Sequence, residues 1–277
     1  MAIYMGLDSS TQSLTAVVIE IDGDERKVLD QRSIRFDEEL ASYGCRNGVL
    51  THSDPLVAHS NPVMWAEALD RLFAVFAAEG QFPLDKLRAI AGSGQQHGSV
   101  YFNAEAGPRL GSLDPSRELV GQLEGIFSRP TSPIWMDSST SSECAAITAA
   151  VGGSGELAGL TGSKAFERFT GPQIRKFHQE DPEGYDATHR IHLVSSFMAT
   201  LLAGTDAPID PGDGAGMNLM NLSEKAWAPT ALEATAPGLS GKLPAIEESW
   251  SIIGSLSNYW VERYGFSPAT QVVCWSG

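Results

Sequence analysis

Residues 2–23, AIYMGLDSSTQSLTAVVIEIDG, constrain the fold more than any other stretch of the chain. An apolar strand ends in an acid, turns through short hydroxyl side chains and returns as a second apolar strand. Asp8 therefore sits at a strand exit. Behind it Ser9, Ser10, Thr11, Gln12 and Ser13 supply short side chains and closely spaced backbone N–H groups, the composition a turn needs to wrap a phosphate. Asp8 then suits a ligand of magnesium or of phosphate-bound water, while the same residues also suit an ordinary β-turn with an acidic tip. With the alternating run Lys27–Phe36 after the Asp22-Gly23 turn, the strands Ala2–Leu7, Ser13–Ile21 and Lys27–Phe36 predict an antiparallel meander.

Residues 37–61 carry Gly44, Gly48 and Pro55 with few periodic apolar positions, and predict a long irregular surface insertion. Asn61 and Pro62 then cap and open a helix whose core stripe is Trp65, Leu69, Leu72, Phe73 and Phe76, ending at Gly80. A strand over Leu87–Ala91 leads into Gly92-Ser93-Gly94-Gln95-Gln96-His97-Gly98, and Val100-Tyr101-Phe102 resumes as a strand. The glycine spacing is not that of a dinucleotide fold and no GxxxxGK[ST] occurs, so Rossmann and P-loop readings fail. Helical character is expected over Pro115–Phe127, a short strand over Ile134–Met136, and helices over Ser138–Val151 and Ile174–Gln179. Ile191–Leu202 is helix or strand by periodicity alone, the glycines of Gly212–Gly216 mark a loop, and Thr270–Trp275 is a buried strand.

Several function classes are excluded by composition. A net charge of −15 argues against nucleic acid and anionic membrane surfaces, both of which select basic patches. No run approaches the roughly 18 apolar residues of a membrane span, and the opening MAIYMGLD has no signal-peptide character. Cys45, Cys144 and Cys274 are too scattered for a disulfide framework or a CxxC metal pair, so a reducing, cytoplasmic setting is expected. His189 and His192 lack a third ligand at zinc-site spacing.

The opening hairpin resembles the phosphate-binding start of the FGGY carbohydrate kinases. Four more stretches match that family in order and spacing: IAGSGQQHGSVYFN at Ile90–Asn103, PIWMDSST at Pro133–Thr140, TGSKAFERFTGPQI at Thr161–Ile174 and IDPGDGAGMNLM at Ile209–Met220. Their wording is closest to the xylulose kinases of the longer, animal type, and the run after Thr170 lacks the lysine and tryptophan of the bacterial pattern. The resemblance implies an α/β, ribonuclease H-like (actin-type ATPase) N-terminal lobe with a mixed sheet flanked by helices, and it favours a helix over Ile191–Leu202. It also implies a division into a sugar-binding lobe over residues 1–270 and the first strand of a C-terminal lobe over 271–277, with the adenine pocket and the base in that further lobe.

The activity implied is transfer of phosphate from ATP, with Mg2+, to a ketose, most simply D-xylulose. Asp8 would organise metal and phosphate, and Ser10, Thr11, Gln12 and Ser13 would approach the γ-phosphate. Gln96, His97 and Arg168 would hold the ketose; a partly buried guanidinium offers a rigid fork of donors to vicinal hydroxyls, and an imidazole can donate or accept. Asp137 reads as a site-shaping acceptor or helix cap, and Asp213 as the residue holding the glycine turn. The alternatives are a kinase of another sugar, such as ribulose, a hexulose or a polyol, and a non-catalytic sugar-binding module.

Overall fold

The computed structural model describes residues 2–277. Strands β1 (Ala2–Ser9), β2 (Ser13–Asp22) and β3 (Glu25–Arg35) form the expected antiparallel meander. Along β1, Ile3, Met5, Leu7 and Ser9 are buried while Gly6 and Asp8 are exposed, so strand alternation alone puts the acid on the face opposite the core. The 37–61 segment is less irregular than its composition suggests: a helical turn at Phe36–Glu39 and a tight pairing of Cys45–Arg46 with Val49–Leu50 precede the strand His59–Ser60.

Helix α1 (Pro62–Glu79) begins and ends where expected. The Asn61 side chain accepts the Val63 N–H at 2.9 Å, Pro62 opens the first turn, and Gly80 ends the helix. Its stripe of Trp65, Leu69, Leu72, Phe73 and Phe76 lies in the main hydrophobic core. Strand β4 (Leu87–Gly94) runs parallel to β1, with Asp8 opposite Ser93 and Ser9 opposite Gly94. The returning strand β5 (Ser99–Asn103) leaves the sheet and pairs elsewhere.

The middle of the chain departs from expectation in five places. Only Leu119–Gln122 of Pro115–Phe127 is helical. The Gln122 carboxamide instead donates to the carbonyls of Asp114, Arg117 and Glu118, satisfying the loop without a helix. The strand expected at Ile134–Met136 is displaced to Ser132–Pro133, paired with His59–Ser60, and Trp135-Met136 form an exposed turn. Helices α2 (Ser141–Val151) and α3 (Thr170–Glu180) follow, the second longer than its apolar pattern indicates. Ile191–Leu202 is neither one helix nor one strand. Strand β6 (Thr188–Leu193) pairs with β5, and the Ser196 hydroxyl accepts the Leu193 N–H at 3.0 Å, starting helix α4 (Val194–Ala203). The glycine-rich Gly212–Gly216 is helical within α5 (Pro211–Gly216), because Asp210 caps it by accepting the Gly212 and Asp213 N–H groups at 3.1 and 3.0 Å.

Strands β7 (Ile252–Ser255) and β8 (Gln271–Val273) complete a six-stranded mixed sheet in the order β7-β8-β4-β1-β2-β3. The residues assigned above to the opening of a further lobe are therefore hydrogen-bonded, parallel to β4, inside this sheet. Helices α1 and α4 supply the apolar side chains that pack on the buried sheet face, including Leu69, Phe73 and Phe197. A second cluster, with Tyr101, Ile174, Phe177 and Ile191, lies between β5, β6 and α3. Among the described residues no helix is long and apolar enough to cross a membrane.

Candidate functional site

Parallel strands that end together leave their loops side by side, and the crevice beyond their carboxyl ends is where open α/β sheets bind ligands. Strands β1 and β4 end in register at Ser9 and Gly94, and the Gln95 N–H donates to the Ser9 carbonyl at 2.8 Å. The acidic hairpin and the Gly94–Gly98 loop thus form two walls of one cleft. It has a volume of about 320 Å³ and is lined by Asp8, Ser10, Thr11, Gln96, His97 and Arg168 from the sequence reading, with Gly94, Gln95 and Trp135 in addition.

Asp8 is exposed, and its Oδ1 accepts the Ser93 hydroxyl at 2.9 Å. Ser10 closes the turn, its N–H and hydroxyl both donating to the Ser13 carbonyl at 2.9 and 3.0 Å. Gln12 and Ser13, expected beside Thr11, line a separate groove with Thr15, Ser33 and Arg35. Ser13 already belongs to β2, where side chains alternate between faces.

The glycines at the end of β4 and in the loop that follows allow close approach of packed elements. A Cβ on Gly92 would lie 2.5 Å from the Trp275 ring, one on Gly94 2.5 Å from the Ser195 nitrogen, and one on Gly98 2.9 Å from Val194. The loop is pressed against β8's exit and the start of α4, which fixes where His97 projects. His97 itself has φ of 66°, a left-handed conformation uncommon for a residue with a side chain. Its ring packs 5.0 Å from Phe169 and sits over Gly216, where a Cβ would be 3.2 Å from Nδ1. Burial pushes its pKa down to about 4, opposed by the Gly216 backbone hydrogen bond and aided by Arg168, so the imidazole is neutral at pH 7.

Arg168 stacks its guanidinium 4.6 Å over Phe166 and makes no salt bridge among the described residues. A planar cation half-buried at a cleft without an acid partner retains its donors for a ligand. Trp135 closes the rim, with its indole N–H donating to Thr11 Oγ1 at 2.9 Å. Gln95 and Trp135 are site side chains that sequence reasoning passed over, and both Gln95 carboxamide atoms are buried without a hydrogen-bond partner among the described residues. The Gln95-Gln96 doublet was the available signal, but nothing in it says which of the two turns inward.

Asp137 shapes the wall rather than lining the cleft. Burial would raise its pKa, yet donors from Ser139, Ala58 and Gln173 bring it below the ordinary value. Those bonds are 2.6 Å from the Ser139 hydroxyl, 2.9 Å from the Ala58 N–H and 2.7 Å from Gln173 Nε2. Asp213 also lies outside the cleft, buried against Gly277 and accepting the Ser195 hydroxyl. Desolvation pushes its pKa up to about 7, partly offset by Ser195 and reinforced by Asp210. His192 is buried against Ser196 and Asp206, and no group of three or more metal-ligating side chains occurs among the described residues.

A lone exposed carboxylate beside a hydroxyl-rich turn fits the binding mode of magnesium, which keeps several waters and takes one or two carboxylates plus substrate phosphates. Asp8 meets that requirement, since among the described residues one of its oxygens has no protein donor.

Known proteins resemble this chain in sequence and in overall fold. The chain is 45% identical over 273 residues to a xylulose kinase of Rattus norvegicus, covering 99% of this chain and 50% of that protein. It is 45% identical over 277 residues to xylulose kinase 2 of Arabidopsis thaliana, covering 100% of this chain and 49% of that protein. The chain thus spans about half the length of the curated relatives it matches. Its fold is that of a xylulose kinase of Rhodospirillum rubrum at TM-score 0.77 and 15% identity, over 99% of this chain and 49% of that one. Residues 131–277 match the N-terminal domain of the FGGY carbohydrate kinases. With that match, the mixed sheet and the shared motifs in place, the chain belongs to the FGGY family of carbohydrate kinases.

Proposed function

We propose that this chain is the sugar-binding half of a ketose kinase that transfers the γ-phosphate of MgATP to D-xylulose, giving D-xylulose 5-phosphate and ADP. The observation that carries the reading is the convergence of Asp8 and Thr11 on one side, and Gln96, His97 and Arg168 on the other, around a single cleft. Phosphoryl transfer asks the protein mainly for positioning and charge neutralisation. In this reading the hairpin serves the phosphate end and the opposite wall serves the ketose. Asp8 would hold magnesium, which neutralises phosphate charge when bound. The neutral His97 imidazole is a hydrogen-bond partner for a hydroxyl, not a source of charge, while Arg168 donates to oxygens of the open-chain sugar. The base that takes the proton of the acceptor hydroxyl, and the adenine pocket, are assigned to the part of the relatives that this chain does not cover.

Coupled-assay turnover of the two-lobed protein across D-xylulose, ribulose, hexuloses and polyols tests the proposal. The expected result is highest kcat/KM with D-xylulose. A preference for another sugar would reassign the substrate, and ketose binding with no ATP turnover would identify a binding module instead.

A further inference from the structure

The 37–61 segment is bonded both to the hairpin wall of the cleft and to the Ile134–Ser138 turn that carries Trp135 at its rim. At its first end the Phe36 N–H donates to the Gln12 carbonyl at 3.0 Å, and Asp37 accepts the N–H groups of Asn47 and Gly48 at 2.7 and 3.3 Å. Asn47 and Gly48 both take left-handed φ, 52° and 76°. This turn is pressed onto the hairpin so closely that a Cβ on Gly48 would overlap the Thr11 carbonyl oxygen. At its other end the Ala58 carbonyl accepts the Ile134 N–H at 3.0 Å and the Leu56 carbonyl accepts the Ser138 N–H at 2.9 Å. The Ala58 N–H donates to Asp137 at 2.9 Å, and Asp137 accepts Gln173, whose Nε2 also donates to the Glu167 carbonyl beside Arg168. Between these anchors lies Trp135, bonded to the Thr11 hydroxyl. Thr11 is therefore held twice, by backbone contact with Gly48 and by side-chain contact with a turn that the same segment pins.

We propose that residues 37–61 are a brace that sets Thr11 of the phosphate hairpin at a fixed distance from the Arg168 wall, making Gly48 a positioning residue for phosphoryl transfer. The proposal rests on the kinase reading for its catalytic consequence but not for its mechanical one. A long loop is free to vary in sequence, but one that spans two walls of a cleft fixes their separation. Misplacing a reacting group by about 1 Å can cost about 10²-fold in rate. The sugar-binding loop Gly94–Gly98 is anchored separately, on α4. Damage at the Gly48 end displaces Thr11 while Arg168 keeps the Asp137–Gln173–Glu167 bonds behind it, so it should act on kcat and spare ketose affinity.

The test substitutes Gly48→Ala, with Gly44→Ala as control. Gly44 has nearly the same left-handed φ, 71°, in the same segment, but a Cβ there meets nothing within 4 Å. In the chain itself the indole N–H resonance of Trp135, assigned through Trp135→Phe, should shift in Gly48→Ala and stay in place in Gly44→Ala. In the two-lobed protein kcat should fall about tenfold to a hundredfold for Gly48→Ala, with ketose Kd within about twofold of the parent. Gly44→Ala should keep both. If Gly48→Ala fails to fold, Asp37→Ala at an exposed position releases the same turn and should give the same split in weaker form. The brace is overturned if both glycine variants leave the Trp135 signal and kcat alike, or if ketose affinity collapses together with kcat. A parent two-lobed protein without ketose-dependent turnover would sink the kinase reading, and the Trp135 shift would still decide whether the segment holds Thr11.

Discussion

Three side chains show how environment assigns roles to residues of ordinary type. Asp8 is an exposed acid on the open face of β1, at the entrance to the hairpin turn. In the two-lobed protein Asp8→Ala is expected to reduce kcat by about 10² or more while leaving ketose Kd nearly unchanged; isothermal titration beside steady-state kinetics would expose a joint loss, contradicting that division of labour. His97 has its imidazole pKa lowered to about 4 by burial, so it carries no charge between pH 5 and 8. Ketose affinity should accordingly be flat through that window, whereas a titration near pH 6.5 would mean that the ring is solvated. Asp213 runs the other way. Its pKa, raised from 3.8 to about 7, means that the folded chain holds a proton which the unfolded chain releases. Stability from this group is complete below pH 4 and is lost as pH rises through 7, at no more than about 1.4 kcal/mol per pH unit. Urea unfolding of Asp213→Asn at pH 5 and pH 8 should show the loss removed, and an unchanged pH slope would refute it.

Elements bring these residues together through close packing that only glycine permits. The interval between β4 and the exit of β8 is filled by Trp275, which lies directly over Gly92. Gly92→Ala should force that ring aside, at a cost of about 1–3 kcal/mol for overpacking. The check is a lower urea midpoint with an unchanged m-value; a midpoint equal to the parent's would mean that the β4–β8 contact yields without strain. The glycines at 92, 94 and 98 were visible in the sequence as a loop that is neither P-loop nor Rossmann. Their purpose was not. Each faces a residue distant in the chain, Trp275, Ser195 or Val194, and no local pattern encodes such a partner. The same holds for α5, where four small residues read as a loop until the Asp210 side chain caps them into a helical turn.

At the scale of the whole molecule, this chain supplies the hairpin and the Gly94–Gly98 wall of the cleft, while the base and the adenine pocket are proposed to lie in the remaining half of the relatives' length. The purified 277-residue chain is expected to bind ketose weakly and to show no ketose-dependent ATP turnover. Loss of base and closure should exceed the roughly 10²–10⁴ ascribed to general acid–base catalysis alone. A coupled assay giving about 1–100 turnovers per second, a normal kinase rate, would place the base within these residues and refute the assignment.

The sequence by itself determined the elements whose signals are local. Alternation drew the β1–β2–β3 meander and put Asp8 opposite the core, and Asn61, Pro62 and Gly80 set both ends of α1, because strand period and helix caps act within a few residues. It also named most of the cleft, since Asp8, Thr11, His97 and Arg168 stand in recognisable motifs. Tertiary structure alone decided the rest. The departure of Gln12 and Ser13 to another groove, the inward turn of Gln95, the split of 191–202 into β6 and α4, and the 37–61 brace all depend on hydrogen bonds and contacts between residues far apart in sequence. A polar side chain or a glycine carries no periodic signal of its own, so its role is fixed only by the partner that the fold brings to it.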